Sequence, residues 1–206
     1  MLQNRVDPYG HLIKTPARGA WTGNRGVIHN ENKEIVRPFK LKAWIICLLE
    51  YKGKRRPIMA PNRWTELFFL DEATAFSAGH RPCAFCRYKD HHRFKTAWLK
   101  GNPGYHFTES IPIAKIDDIL HKERINKDKS KPTWTASLNH LPNGAFVIHN
   151  DQPHLLHADQ LHPWTPAGYE KPITLPTTTL LPVLTPHSIV NTFKAGYIPQ
   201  TKIPYL

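Results

Sequence analysis

The sequence has few cysteines and no long apolar segment, and each shortage excludes a class of protein. Three cysteines among 206 residues are an odd number, which argues against a secreted disulfide scaffold and leaves a thiol or metal role open. The longest apolar runs, such as residues 45–49 (IICLL), are far too short to cross a bilayer, and the first residues contain no apolar signal segment. We therefore expect a cytoplasmic protein with no membrane span.

Acidic side chains are scarce relative to basic ones. The chain carries 28 Lys and Arg against 16 Asp and Glu, a formal net charge of +12, and its isoelectric point is about 9.7. All of this excess lies in residues 1–131, because residues 132–206 hold three basic and three acidic side chains. A positive charge concentrated in this way favours a nucleic-acid partner, whereas the lack of a basic amphipathic helix argues against a membrane surface.

The remaining composition indicates a folded α+β protein in two parts. Hydrophobic residues make up 40% and charged residues 21% of the chain, which excludes disorder and a coiled coil. From Pro132 onward the chain is neutral and holds 11 of the 19 prolines. We predict a basic α+β domain over residues 1–131 and a Pro-rich, β-containing part over residues 132–206, either separate or packed with the first as one domain.

The order of the predicted elements supports this fold class. Asp71 is placed to cap a short helix that Gly79 ends, and Pro112 opens the most amphipathic helix. Strands, helices, strands and a last helix follow one another without βαβ alternation, so we expect a mostly antiparallel sheet with a few short helices. The predicted strands are 42–51, 54–60, 64–70, 145–149, 154–157 and 180–184, with tight turns at 52–53 and 150–151, and the predicted helices are 72–78, 88–100, 112–125 and 186–195.

Residues 68–86 (FFLDEATAFSAGHRPCAFC) combine an aromatic strand, a short Ala-rich helix and a Gly-x-Arg-Pro-Cys-x-x-Cys turn. This segment resembles the metal-binding domain of the Ada DNA-alkylation repair proteins and the related Ada-like zinc modules of some nucleases. The resemblance implies a zinc knuckle in a DNA-associated protein, with His80 at a position that is usually aromatic. The whole chain also resembles a bacterial family that shares its PARG, GNRG, GHRPC and LTP…GY segments, a resemblance that implies no activity.

The cysteines of this turn are the best candidates for metal ligands, because Cys83 and Cys86 are spaced to point at one tetrahedral ion. The Ada pattern has two further ligands upstream of the helix, whereas this chain has only Cys47 there, so the methyl-acceptor chemistry of Ada is not expected. A zinc site must then be completed by Cys47 and a histidine. We choose His91 from the three nearest histidines, which are His80, His91 and His92. The alternative is a metal-free knuckle in which Cys47 is a buried apolar side chain.

Basic side chains crowd around this turn and the hairpin before it, with aromatic residues between them. Cations that neutralise phosphates, beside flat rings that stack on bases, are typical of a nucleic-acid interface. We predict a nucleic-acid-binding protein, with DNA rather than RNA as the partner; the alternatives are a solvated basic face and a structural or regulatory protein that binds an acidic partner. The candidate contacts are Lys52, Lys54, Arg55, Arg56, Arg63, Arg81 and Arg87.

A second hypothesis is a nuclease or other hydrolase that acts on nucleic acid or nucleotides. In residues 16–26 (PARGAWTGNRG), Arg18 and Arg25 could contact a phosphate, although the segment matches no Walker or dinucleotide motif and is also typical of a plain turn. Glu66 is either paired with a nearby arginine, Arg56 or Arg63, or desolvated and able to act as the catalytic acid or base. No His-Glu-x-x-His, nucleophile-elbow or HNH pattern indicates a particular reaction.

Overall fold

A computed structural model describes residues 1–55 and 57–203. Within these ranges the chain forms two six-stranded sheets and four α-helices, which confirms the α+β class. None of the described helices has the length and apolar character needed to cross a membrane. The strands are β1 Gln3–Val6, β2 Leu12–Lys14, β3 Trp21–Asn24, β4 Ile45–Cys47, β5 Leu67–Phe69, β6 Arg81–Pro82, β7 Trp134–Ser137, β8 Phe146–His149, β9 Gln152–His157, β10 Gln160–Thr165, β11 Gly168–Tyr169 and β12 Leu180–Val183, and the helices are α1 Glu72–Ser77, α2 Tyr88–Gly101, α3 Ile113–Arg124 and α4 His187–Lys194.

The first sheet contains the strands of the basic part in the order β2-β1-β5-β3-β4-β6. Its strands pair antiparallel except at two places, where β1 runs parallel to β5 and β4 runs parallel to β6. A tight turn cannot close a parallel pair, so both pairings join distant parts of the chain. The second of them aligns Ile45 with Arg81 and Ile46 with Pro82, which brings Cys47 to the Cys-x-x-Cys segment.

The second sheet consists of strands from the Pro-rich part, in the order β11-β10-β9-β8-β12-β7, and its pairings are antiparallel. The predicted turn at Asn150 and Asp151 is confirmed. Both residues have positive φ, as the common two-residue hairpin turn requires, and β8 pairs with β9 across them.

Helix α1 begins and ends where the sequence predicts. The Asp71 carboxylate accepts hydrogen bonds from the backbone N–H and the hydroxyl of Thr74, at 2.8 and 2.7 Å, which is an N-cap arrangement. Gly79 follows the helix with φ +83°, and a Cβ atom at this position would lie 2.5 Å from side-chain atoms of Arg124. Both the left-handed turn and the close approach of Arg124 therefore require glycine.

Residues from both compositional parts of the chain share one apolar core. The ring of Phe76 in α1 packs against Phe94, Phe193 and Tyr197, with centroid distances of 5.7, 5.3 and 5.2 Å. Phe193 and Tyr197 come from the Pro-rich part, whereas Phe76 and Phe94 come from the basic part. Residues before and after position 132 thus contribute to one set of buried aromatic rings.

Three predicted strands are shorter or absent in the structure. Of residues 64–70 only Leu67–Phe69 is a strand. Of residues 42–51 only Ile45–Cys47 is a strand. Before it the chain bends at Lys42, and the Nε1–H of Trp44 donates to the carbonyl oxygen of Leu41 at 2.9 Å. The turn at Lys52 and Gly53 is confirmed, but its flanking ladder is a single bridge between Tyr51 and Lys54. The described part of residues 54–60 contains no other strand pairing.

Candidate metal centre and basic cavity

Three cysteines from separate segments meet at one edge of the first sheet. The Sγ atoms of Cys47, Cys83 and Cys86 all lie within 4.8 Å of one another. Cys47 ends β4, and Cys83 follows β6, whose parallel pairing with β4 continues in a hydrogen bond from the Cys83 N–H to the Ile46 carbonyl oxygen at 2.9 Å. This backbone contact brings the upstream cysteine to the Cys-x-x-Cys turn.

Hydrogen bonds around the cluster favour a thiolate on Cys83. Its pKa is lowered to about 2, because the thiols of Cys47 and Cys86 and the backbone N–H groups of Cys86 and Phe85 donate to its sulfur. The Phe85 N–H lies 3.4 Å from this sulfur. In turn, the hydrogen bonds with Cys83 and Cys86, together with burial, raise the pKa of Cys47. The three sulfurs thus share protons among themselves. A thiophilic cation could take the place of those protons and bind all three sulfurs.

The cluster is buried and has the donor chemistry of a structural metal site. Cys47, Cys83 and Cys86 are all buried, and the partly buried side chains of Ile45 and Tyr51 pack against them. Three thiolates are soft ligands that suit Zn²⁺, which takes four ligands in structural sites. The described residues therefore supply three of the four positions of such a site.

His91 does not belong to the cysteine cluster. Its ring is buried, and its Nδ1 lies 3.2 Å from the carbonyl oxygen of Pro82. The cluster found among the described residues contains three cysteines and no histidine. His80 is occupied elsewhere, because its Nε2 accepts a hydrogen bond from Arg25 Nε at 3.2 Å. The ligand set predicted from the sequence is thus supported for its cysteines and not for its histidine.

Two predicted nucleic-acid contacts, Arg81 and Arg87, are buried in ion pairs rather than exposed on the basic surface. Arg81 makes a bidentate pair with Asp117, with both N···O distances at 2.7 Å. Arg87 pairs with Glu72 and Asp90, and its guanidinium lies 4.1 Å from the ring centroid of Trp21. Arg81 thus connects the Cys-x-x-Cys segment to α3 through Asp117, and Arg87 connects it to α1 through Glu72.

The other predicted contacts that the structure describes are exposed. The Nε of Arg55 lies 3.2 Å from a carboxylate oxygen of Glu50, and both side chains are exposed. Arg56 lies outside the described residues. The exposed members of the predicted set are Lys52, Lys54, Arg55 and Arg63.

Two of these side chains, Lys54 and Arg55, line a cavity of about 370 Å³ beside the cysteine cluster. Tyr51 connects the two sites, because it lines the cavity, packs on the cysteines and contacts the ring of Phe85 at a centroid distance of 5.2 Å. A buried carboxylate, Glu66, also lines the cavity. The cations of its lining are Arg5, Arg18, Lys54 and Arg55.

Glu66 is held in place by a backbone hydrogen bond. Its Oε2 accepts a hydrogen bond from the backbone N–H of Met59 at 2.7 Å. Among the described residues no ion pair involves Glu66, so the predicted pairing with Arg63 is not found. Arg56, the other predicted partner, lies outside the described residues. The carboxylate therefore lines the cavity with one oxygen anchored by the backbone.

The two arginines of the Gly-rich segment point to different places. Arg18 lines the cavity beside the cysteines, whereas Arg25 lines a second cavity and lies against the ring of Trp44, 3.8 Å from its centroid. The segment between them is strand β3, paired with β4 and β5. Strand pairing thus separates side chains that the sequence had placed in one phosphate-binding loop.

Sequence reasoning missed Arg5 and Tyr51 as lining residues of the basic cavity. Arg5 reaches it because β1 runs parallel to β5, with Arg5 opposite Phe68 and its guanidinium 4.6 Å from that ring centroid. No local pattern signals this pairing, because the two residues are far apart in the chain. The sequence could have indicated Tyr51, because it directly precedes the predicted Lys52–Gly53 turn and the basic residues that follow that turn.

Comparison of the chain with protein-family models, with curated proteins and with solved structures gave no match. The resemblance of residues 68–86 to Ada-like zinc modules therefore stays a prediction. The structure itself shows three close, buried cysteines that could hold a metal ion.

Proposed function

We propose that the protein binds nucleic acid, with DNA ahead of RNA, through a basic surface organised by a zinc knuckle. One observation carries the proposal: the four-cation cavity adjoins the cysteine cluster through Tyr51. Phosphate groups would contact the cations of this cavity. The metal would stabilise the Cys-x-x-Cys segment, in which Phe85 packs against Tyr51. The preference for DNA rests on the resemblance of the knuckle to Ada-type modules.

Exposed rings around the knuckle support this proposal. Phe85, inside the Cys-x-x-Cys turn, is 68% exposed, and Tyr88, at the start of α2, is 62% exposed. Exposed aromatic side chains beside lysines and arginines can stack on bases while the cations contact phosphates. Lys52 adds a charge near a third ring, that of Tyr51, with its Nζ 5.6 Å from the ring centroid.

Zinc is the metal that we propose for the cysteines. Its role here would be structural, because a closed thiolate site holds distant strands together rather than activating a substrate. Cys47, Cys83 and Cys86 would bind it, and the fourth ligand would come from outside this cysteine set.

Fluorescence anisotropy with labelled oligonucleotides tests the nucleic-acid proposal. The wild-type protein should bind DNA at low salt, and the affinity should fall steeply as the salt concentration rises. The double variant Lys54→Ala/Arg55→Ala should bind about tenfold or more weakly, since two phosphate contacts are lost. Lys171→Ala, an exposed lysine of the neutral part, is the matched control and should bind as the wild type does.

Two results would contradict this proposal. One is the absence of binding to either DNA or RNA at low salt. The other is equal binding by Lys54→Ala/Arg55→Ala and the wild type, which would move the interface away from the cavity. RNA of the same sequence, measured beside the DNA, tests the proposed preference.

A phosphodiester hydrolase is a second candidate function, and the position of Glu66 favours it. This carboxylate lines the same cavity as Arg5 and Arg18, so a base and phosphate-binding cations face one space. Glu66 would take a proton from the attacking water, and the arginines would stabilise the charge on the phosphate. Glu66→Gln should abolish strand cleavage while the carboxamide oxygen still accepts the Met59 N–H; an unchanged cleavage rate would remove Glu66 from this role.

A further inference from the structure

A second cavity, of about 320 Å³, lies apart from the cysteine cluster and is lined by cations. It lies between the β1–β2 connection and the chain that follows α3. No aspartate or glutamate of the described chain lines it. The lysines and arginines of its lining are Arg25, Arg37, Arg124, Lys129 and Lys131.

Two of these cations are buried at the base of the cavity, against one aromatic ring. The guanidinium carbons of Arg25 and Arg124 lie 3.8 and 4.1 Å from the ring centroid of Trp44. Arg25 is only 2% exposed, and its hydrogen bonds go to the Gly10 carbonyl oxygen at 2.9 Å and to His80. The Nη2 of Arg25 and the Nε of Arg124 are buried without a hydrogen-bond partner.

The negative charges near this cavity do not balance its cations. Asp7 is the carboxylate that acts on Arg25, and its own oxygens are engaged by the backbone N–H and the ring of His11 at 2.8 and 3.2 Å. Asp117 is bound by Arg81 in the bidentate pair. Burial, followed by the charges of Arg124 and Arg25, lowers the pKa of Lys131 to about 7, although Asp7 and Glu123 act in the opposite direction. Glu123 is bound by the backbone N–H and the hydroxyl of Ser188 at 3.2 and 2.6 Å. Lys131 Nζ donates to the Ser77 carbonyl oxygen. Such uncompensated positive charge is costly to bury and favours an anion in the cavity.

The walls of the cavity are largely apolar above this charged base. Leu12, Ile35, Pro38 and Ile125 line it together with the ring of Tyr9. The ring of His11 stacks on Tyr9, with centroids 5.6 Å apart. A space of this size suits a small ligand that has an anionic end and an apolar or flat end, and it is too small for a duplex.

We propose that this cavity binds a phosphate monoester, with the phosphate toward the lysines and arginines and the organic group against the apolar wall. The charge of a monoester suits the site, because it approaches two negative charges at neutral pH, and two flexible cations at the rim, Arg37 and Lys129, can reach it. The monoester can be a free small molecule or the terminal phosphate of a nucleic-acid strand, which present the same group.

Isothermal titration calorimetry with the full chain tests the site, using adenosine 5′-monophosphate, adenosine and inorganic phosphate as probes. The monophosphate should bind more tightly than either of the others. Arg37→Ala/Lys129→Ala should weaken its binding about tenfold or more, a loss of about 1.4 kcal/mol. Lys40→Ala/Lys127→Ala removes two exposed charges that do not line the cavity and is the matched control, with unchanged binding expected.

The four substituted side chains are exposed, so both double variants should fold, and circular dichroism verifies this. The proposal is overturned if the monophosphate does not bind, if adenosine binds equally well, or if the two double variants lose affinity equally. Single strands with and without a 5′-phosphate, measured in the Lys54→Ala/Arg55→Ala background, distinguish the sources. Binding that requires the 5′-phosphate and Arg37 with Lys129 indicates a strand end, whereas binding of the monophosphate alone indicates a free small molecule.

Discussion

The backbone N–H of Cys83 donates to the carbonyl oxygen of Ile46 at 2.9 Å, and this contact sets Cys83 beside Cys47. The hydrogen bond continues the parallel β4–β6 pairing by one residue beyond its last aligned pair. Because this hydrogen bond joins backbone atoms, the position of Cys47 beside Cys83 does not depend on the side chains around them. The arrangement of the three sulfurs is therefore a property of the sheet edge.

Metal content is the first prediction. Wild-type protein purified without chelator should contain about one zinc ion per chain, and Cys83→Ser should contain much less, because the central thiolate of the cluster is lost. Chelation of the wild type should also lower its unfolding temperature. Elemental analysis and thermal unfolding measure both effects. Phe85→Ala, which keeps all three thiols, is the control; zinc retained in full by Cys83→Ser would contradict a site at these cysteines.

The buried pair of Arg81 with Asp117 should be important for stability. Asp117→Ala leaves a buried guanidinium without its carboxylate, so the free energy of unfolding should fall by about 3–5 kcal/mol. Denaturant unfolding measures the change. Asp118, the neighbouring residue, makes an exposed pair with Lys42, and Asp118→Ala should leave the unfolding midpoint nearly unchanged. Similar losses in the two variants would contradict this account.

Tyr169 should stabilise the contact of the second sheet with the cap of α1. Its hydroxyl donates to Asp71 Oδ2 at 2.7 Å in a buried environment. Tyr169→Phe leaves that oxygen with one partner fewer, and the free energy of unfolding should fall by about 1–3 kcal/mol. Tyr88→Phe removes an exposed hydroxyl and serves as the reference in the same unfolding experiment; an equal effect of both substitutions would argue against the buried hydrogen bond.

Acidification should destabilise the protein through His80. Burial, followed by the charges of Arg25 and Arg124, lowers the pKa of His80 well below its ordinary value. Below about pH 6.5 the unfolded chain binds a proton that the folded imidazole does not, so stability should be lost as the pH falls through that value. Unfolding midpoints measured from about pH 7.5 to about pH 5.5 test this loss, because that range spans the ordinary histidine pKa of about 6.5.

His80→Gln should be less stable at neutral pH and should show a weaker pH dependence over the same window. Zinc content measured in the same samples separates the histidine effect from loss of the metal. A pH dependence identical to that of the wild type would remove His80 from this role.

The local elements of this fold could be predicted from the sequence, and its long-range pairings could not. The cap at Asp71, the stop at Gly79, the turn at Asn150 and the helices all follow from short patterns whose physical basis is local. The lengths of the strands did not follow, because an apolar run such as residues 42–51 can also form irregular chain, in which a side chain such as Trp44 binds a backbone carbonyl oxygen.

The candidate sites divide in the same way. Cys83 and Cys86 have a sequence signature, and Cys47 joins them as expected, but His91 lies next to them in sequence and binds a backbone oxygen instead. Basic residues near the knuckle were predicted as one surface. Tertiary structure divides them into exposed cations and buried ion pairs, since the partner of Arg81, Asp117, comes from a helix more than thirty residues away.

The parallel pairing of β4 with β6 has a consequence for when a metal ion could bind the three cysteines. Cys47 and Cys83 are separated in the chain by β5 and α1. The three thiols therefore come together when β4 pairs with β6. Closing a loop of this length has an entropic cost before any ion can be bound with full coordination. A metal ion would therefore meet all three thiols together in chains in which β4 and β6 are already paired.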